Sequence, residues 1–247
     1  MYDIAIIGGM GPAATAELFE RIVRYTSADV DQEHIKLCIL NDPTIPDRTS
    51  YLLSGGESPL PKIKENIDAA KLLGCKYFAI SCNTSHYFYR DYESVDGIKF
   101  INMIYEACRY VSKVHPSKKI CVLATKGTVS ADVYKKIGGE IAEIVYPSDG
   151  VNSRIMQIIE SIKAGKTDLQ AFSSEILTLV SREYDVKDTV FMLACTELSL
   201  LLPYLNESFI DAMDVLSGVI IAKCQKKIND TRFGLCRQYF SEELNKE

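Results

Sequence analysis

No stretch of the 247-residue sequence approaches the roughly 18 consecutive apolar residues that a membrane helix requires. No basic region precedes an apolar run at the start, Met1-Tyr2-Asp3-Ile4, so no secretory signal is expected and the location expected by default is cytoplasmic. Basic residues are not in excess either. A net charge of −5 argues against a nucleic-acid partner, because phosphate binding calls for concentrated Lys and Arg. The eight cysteines include no CxxC pair and no Cys/His cluster with structural-zinc spacing, so neither a metal site nor a zinc-stapled fold is expected. In a reducing compartment these cysteines are free thiols. What remains is an ordinary globular composition, 47% hydrophobic and 25% charged, in a chain long enough for one large domain or two modest ones.

Short runs rich in Val and Ile alternate with longer helical patterns. Strands are predicted at 2–8, 35–40, 76–81, 98–102, 118–124, 143–147, 189–194 and 207–211. Amphipathic stretches such as 59–74 and 150–165 lie between them. Near-continuous apolar strands separated by helices indicate α/β architecture with parallel sheets covered on both faces. The chain also echoes itself. "IAIIGGMGP" at the start resembles "ICVLATKGT" at 120–128, and "FAISCNTSH" at 78–86 resembles "FMLACTELS" at 191–199. Aligning Gly8 with Ala124 gives an offset of 116, and aligning Cys82 with Cys195 gives 113. Two segment pairs at nearly one offset predict a duplicated half. Two such halves would face each other across a cleft at the carboxyl ends of their strands, where open α/β sheets bind ligands.

Most of the cysteines read as small core residues; Cys38, Cys108 and Cys121 sit in plainly apolar runs. Cys82 and Cys195 differ. Each ends a buried strand and leads into a polar helix start, Asn83-Thr84 in one case and Thr196-Glu197 in the other. Either thiol alone would read as space-filling, but the repeated context favours function. A helix N-terminus stabilises a thiolate, so a lowered thiol pKa is expected at both. The adjoining amide and hydroxyls of Asn83, Thr84 and Thr196 can hydrogen-bond a carboxylate or the thiolate. Two opposed thiols suit racemisation, which needs a base on one face of a stereocentre and an acid on the other.

The segments "GGMGPAAT" (8–15), "NDPTIPDRT" (41–49), "CNTSH" (82–86) and "ACTEL" (194–198) together resemble the signature set of the aspartate/glutamate racemases, in order over about the first 220 positions. The resemblance implies two similar α/β domains related by a pseudo-twofold, with Cys82 and Cys195 catalytic in the cleft and no pyridoxal phosphate or other cofactor. It assigns Arg48, in a loop stiffened by Pro43 and Pro46, to a substrate carboxylate, and Lys163 to a second carboxylate anchor. Related glutamate-specific enzymes carry His after the corresponding Cys-Thr. Glu197 therefore points to the aspartate or broad aspartate/glutamate branch, although an acid there also suits a helix cap. A small-molecule amino-acid substrate and a homodimer are implied as partners. Backbone N–H groups of Met10 and Gly11, before Pro12 at a helix start, can serve an anion. Thr125, Gly127 and Thr128 of "ATKGT" would do the same from the other half. His86 reads as a supporting, capping or surface residue, and Asp211 as a helix cap. The implied units are 1–102 with about 207–227, then 103–206, leaving 228–247 as an extension whose chemistry is unreadable.

Two rival readings stand beside this one. Gly9-x-Gly11-x-x-Ala14 fits a nicotinamide-dinucleotide fingerprint, with Asp42 as its acid, though farther along the chain than usual. That reading leaves the paired cysteines unexplained. A non-catalytic amino-acid-binding module would need only the cleft anchors. The double-cysteine pattern disfavours single-cysteine decarboxylation, but it leaves another amino acid or a hydantoin open as substrate.

Overall fold

The computed structural model describes residues 1–166, 168–229 and 234–244. Its first sheet holds β1 (Ile4–Gly8), β2 (Leu37–Asn41), β3 (Tyr77–Ile80) and β4 (Lys99–Ile101). Its second holds β5 (Lys119–Leu123), β6 (Ile144–Val145), β7 (Thr189–Leu193) and β8 (Phe209–Asp211). All eight predicted strands are present, within a few residues of their apolar runs. Every pairing is parallel. The strand orders are β2-β1-β3-β4 and β6-β5-β7-β8, one topology used twice. β1 corresponds to β5 and β3 to β7, as the internal echo requires.

The helices are α1 (Pro12–Tyr25), α2 (Arg48–Ser54), α3 (Leu60–Leu72), α4 (Tyr89–Glu93), α5 (Met103–Val114) and α6 (Lys126–Ser130). After them come α7 (Val133–Gly138), α8 (Asp149–Lys163), α9 (Leu169–Val180), α10 (Ala212–Lys223) and α11 (Arg237–Leu244). None of the described helices is long and apolar enough to cross a membrane. The two-residue period of a strand sorts its side chains into layers. Ile4 and Ile6 of β1 share a core with Ile120 and Val122 of β5, filled by α1, α5 and α10. Ala5 and Ile7 face the other way, toward α3. Cys121 and Leu123 likewise face α8 and α9. The central helical layer therefore belongs to both sheets. This explains α10, where every residue from Ala212 to Ala222 is buried: a helix apolar around most of its circumference packs between layers.

The segment 207–227, expected to return to the first unit, divides between the two. α10 packs on α1 and α5. β8 instead pairs with β7, with Phe209 against Phe191 at a ring separation of 5.0 Å, so that strand belongs to the second sheet. Of the extension 228–247, residues 230–233 and 245–247 lie outside the described residues. Elsewhere in it, Ile228 bridges to Thr26, and Tyr239 and Phe240 pack on Tyr110.

A buried ionic cluster ties these layers together. Arg21 on α1 donates through Nη1 to Asp211 and Asp214, each at 2.6 Å, and through Nε to Glu17 at 2.8 Å. Tyr25 donates to Asp214 at 3.0 Å, and Ser199 donates to Asp211 at 2.9 Å. Asp211 also caps α10, accepting from Met213 N–H, which is the role its position suggests. Burial pushes the Asp214 carboxyl up to about 6, against the pull of Arg21. Burial opposes the charge on Arg21 too, but the carboxylates outweigh it and hold the guanidinium protonated.

Candidate active site

The turns that follow β1, β2, β3, β5 and β7 converge at the carboxyl ends of the two sheets. After β1 the chain must bend sharply. Gly9 has φ +91°, and a Cβ there would lie 2.3 Å from the Asp42 backbone, so the turn requires glycine. The cavity between the turns holds about 330 Å³, counting its open mouth. Cys82 and Cys195 both line it, with Met10, Arg48, Asn83, Thr84, Thr125, Lys163, Thr196 and Glu197. The same wall includes Asp47, Thr49 and Ala194, which the sequence reading passed over. Asp47 and Thr49 flank Arg48, so their place in the Pro-framed loop was the available signal. Gly127 and Thr128 are outside the lining. A Cβ on Gly127 would meet Thr49 at 3.1 Å, so this glycine permits close packing of α6 on α2.

Cys195 is buried and donates its thiol hydrogen to Glu197 Oε2 at 2.9 Å. Burial first, and then the Glu197 carboxylate, push this thiol well above its ordinary pKa. The lowered value expected from a helix start is therefore corrected at Cys195. The physical reason lies in the local fold: the chain enters a 3-10 turn, Leu198–Tyr204, only three residues later. The Glu197 backbone N–H and Lys163 do work to lower the thiol, but burial and the Glu197 carboxylate beside it outweigh them. Glu197 makes no capping hydrogen bond, so its alternative reading as a cap is not realised. Its other oxygen lies 3.7 Å from Lys163 Nζ. Burial works to lower the Lys163 pKa, but Glu197 and the two thiols outweigh it and keep the ammonium charged.

Cys82 also precedes a 3-10 turn, Thr84–Phe88. Its carbonyl accepts from Ser85 Oγ at 2.8 Å and lies 2.9 Å from His86 Nδ1. Met103 N–H donates to His86 Nε2 at 3.2 Å, so the imidazole is neutral and donates through Nδ1 to Cys82. His86 is wholly buried, which corrects its reading as a surface residue; burial lowers its pKa to about 4. An unfolded histidine titrates near 6.5. The native state therefore binds fewer protons between these values, and the stabilising contribution present above pH 6.5 is lost as pH falls toward 4. The shift corresponds to roughly 3 kcal/mol. Urea midpoints of the wild type should fall more steeply from pH 7 to 4.5 than those of His86→Gln. Equal slopes would rule the assignment out.

Asn83 is oriented from behind, because Tyr134 on α7 donates to its Oδ1 at 2.7 Å. The Asn83 amide is thereby left to act as a donor. Thr84, Thr125 and Thr128 close a ring of hydroxyls at 3.0–3.1 Å, one member from the first half and two from the second. Thr125 also caps α6. The ring joins the halves beneath the cavity, and Thr128 supports it from outside the lining.

Arg48 opens α2, whose N-cap is Asp47. Its Nη2 donates to Met10 O at 3.0 Å, and its Nη1 to Pro46 O at 3.1 Å. No carboxylate forms an ion pair with it among the described residues, and its Nε is buried without a partner. A guanidinium hydrogen-bonded only to backbone carbonyls can still pair with an anion. Burial opposes ionisation of Asp47, but hydrogen bonds from Ser50, helped by Arg48 and Lys163, lower its pKa and keep it charged. Asp42, which a dinucleotide reading would need, accepts from Thr44 and Asn66.

This arrangement coincides with a known protein family. Residues 7–222 match the family model described as Asp/Glu/Hydantoin racemase. The chain belongs to that family. It is a racemase, an isomerase of the Asp/Glu/hydantoin racemase group, and its two-sheet fold is that of the group's solved structures. The aspartate racemase of Picrophilus torridus is 28% identical, with a TM-score of 0.79 over 93% of this chain and 97% of that one. An aspartate racemase homologue from Pyrococcus horikoshii OT3, 22% identical, shares the fold at a TM-score of 0.70 over 91% of this chain and 100% of that one. The broad specificity amino-acid racemase RacX of Bacillus subtilis (strain 168) is 26% identical over 214 residues, 82% of this chain and 88% of that protein.

Proposed function

We propose that this racemase interconverts L- and D-aspartate and/or glutamate through two cysteine bases, Cys82 and Cys195, without an organic cofactor. The observation that carries the reading is the joint placement of both thiols. They leave equivalent strands of two like sheets and line one cavity, beside the Arg48 guanidinium with its unpartnered Nε. In this reading Arg48 takes the substrate α-carboxylate, and Lys163 meets the side-chain carboxylate. Asn83 and the hydroxyls of Thr84, Thr125 and Thr196 supply further hydrogen bonds, and the Met10 turn closes the wall.

One sulfur, as thiolate, removes the Cα proton. The C–H bonding pair remains on the carbon and spreads into the carboxylate, which Arg48 stabilises. The opposite thiol then delivers its proton to the other face. Cys195 rests protonated, and Glu197 is placed to take its proton when Cys195 must act as base. The reading includes a reducing cytoplasm that keeps both thiols free. It also includes a homodimer, supported by the exposed apolar pair Phe19 and Val23 one turn apart on α1.

The test is incubation of the purified protein with L- and D-aspartate, then L- and D-glutamate, in D2O without added cofactor. α-Deuterium should appear together with the opposite enantiomer. An absence of exchange with all four would overturn the substrate assignment, and a binding-only module would show the same absence.

A further inference from the structure

A second, larger cavity adjoins the first. It encloses about 1120 Å³ with its mouth, against about 330 Å³ for the reaction cavity. Met10, Arg48, Lys163, Thr196 and Glu197 line both, so the chambers meet at that ring. Beyond the ring the walls change character. Pro12, Ala13 and Ala14, from the first turn of α1, form one side; Ile162 near the end of α8 and Leu200 in the 3-10 turn form another. The acids that reach this chamber already have partners: Glu17 accepts from Arg21 at 2.8 Å, and Glu197 lies 3.7 Å from Lys163.

Resting on the racemase reading above, we infer that this outer chamber is a side-chain subsite for amino acids with linear, uncharged apolar side chains of four or more heavy atoms. The α-carboxylate and Cα stay between the thiols, and the side chain passes through the ring onto the apolar wall. A short acidic side chain ends at the ring, where Lys163 stands. A carboxylate carried past the ring would meet no cation on the wall beyond it and would face Glu17 there, which disfavours it. An alkyl or thioether chain loses nothing there and gains apolar contact. The chamber thus widens the substrate range without altering the proton-transfer groups. The small residues that form the wall, Ala13 and Ala14, leave the space such a chain would fill.

The experiment compares L-aspartate with L-norleucine by chiral chromatography, using the wild type, Leu200→Trp and Ala13→Leu. Leu200 and Ala13 are exposed, so both fillers tolerate folding better than core changes would. The wild type should racemise both amino acids. Each filled variant should lose at least about 10-fold in kcat/KM for norleucine while aspartate stays within about twofold, the scale of discrimination that a hydrophobic pocket provides. If one variant loses both activities through misfolding, the norleucine-to-aspartate ratio of the other decides. Turnover of aspartate but not norleucine by the wild type would overturn the subsite and leave the racemase reading intact. An unchanged ratio in both variants would do the same. Failure of every amino acid would instead sink the racemase reading, and the subsite with it.

Discussion

Alanine in place of either Cys82 or Cys195 should lower full racemisation by about 10²–10⁴-fold, the range that a positioned acid or base supplies. The argument rests on geometry. Each thiol reaches the cavity from a different sheet, so removing one leaves one face of the stereocentre without its proton-transfer group. The surviving thiol can still exchange the proton on its own face. Cys82→Ala and Cys195→Ala should therefore each retain slow deuterium exchange from one enantiomer, and from opposite enantiomers, with no inversion. Plain unfolding would abolish exchange from both. Proton NMR of the Cα position in D2O reads the difference directly. If either variant kept wild-type turnover, the two-base mechanism would be wrong.

Arg21→Met is the substitution expected to cost most stability. It removes the cation that, among the described residues, pairs with Asp211, Asp214 and Glu17, and it leaves Asp211 and Asp214 as neighbouring buried acids. Breaking a buried ion pair in this way costs about 3–5 kcal/mol. For a chain of this size the melting temperature should fall by roughly 10 °C. The loss should be partly relieved at low pH, because burial already raises the Asp214 carboxyl to about 6 and protonation there removes one of the unpaired charges. A companion change, Asp214→Asn in the Arg21→Met background, should recover part of the stability for the same reason. Calorimetry of the three proteins checks this. A melting temperature unchanged in Arg21→Met would show that the cluster is not the tie between α1, α10 and β8.

Much of the site was legible before folding because it lies in turns. Strand ends in an α/β protein announce themselves by an apolar run meeting Gly, Asn or Thr, and the residues just beyond face the cleft. Met10, Cys82, Asn83, Thr84, Thr125, Cys195 and Thr196, which line the cavity, could be named in this way, whereas Arg48, Lys163 and Glu197 were singled out by the family resemblance. Local pattern misled where a three-dimensional neighbour decided the outcome. Gly127 looked like an anion-binding glycine, but its missing side chain makes room for Thr49 from another element. For His86 the sequence left a supporting, capping or surface role open, and its hydrogen bond to the start of α5 and complete burial decide for a supporting one. The chemistry expected of Cys195 followed the helix-start rule, and Glu197, only two residues away, reversed its sign.

The sequence by itself determined the class of fold, the doubling of the half and which two of the eight cysteines stand at equivalent strand ends. These follow from periodicity and from short segments whose meaning is local. Only the tertiary structure decided that the two sheets share one helical layer, that α10 lies at its centre and that β8 belongs to the second sheet. The same holds for the resting proton on Cys195 and for the apolar chamber beside the cavity. Burial and electrostatics depend on which distant residues come within a few ångströms, and in this chain Arg21 meets Asp211 across 190 positions.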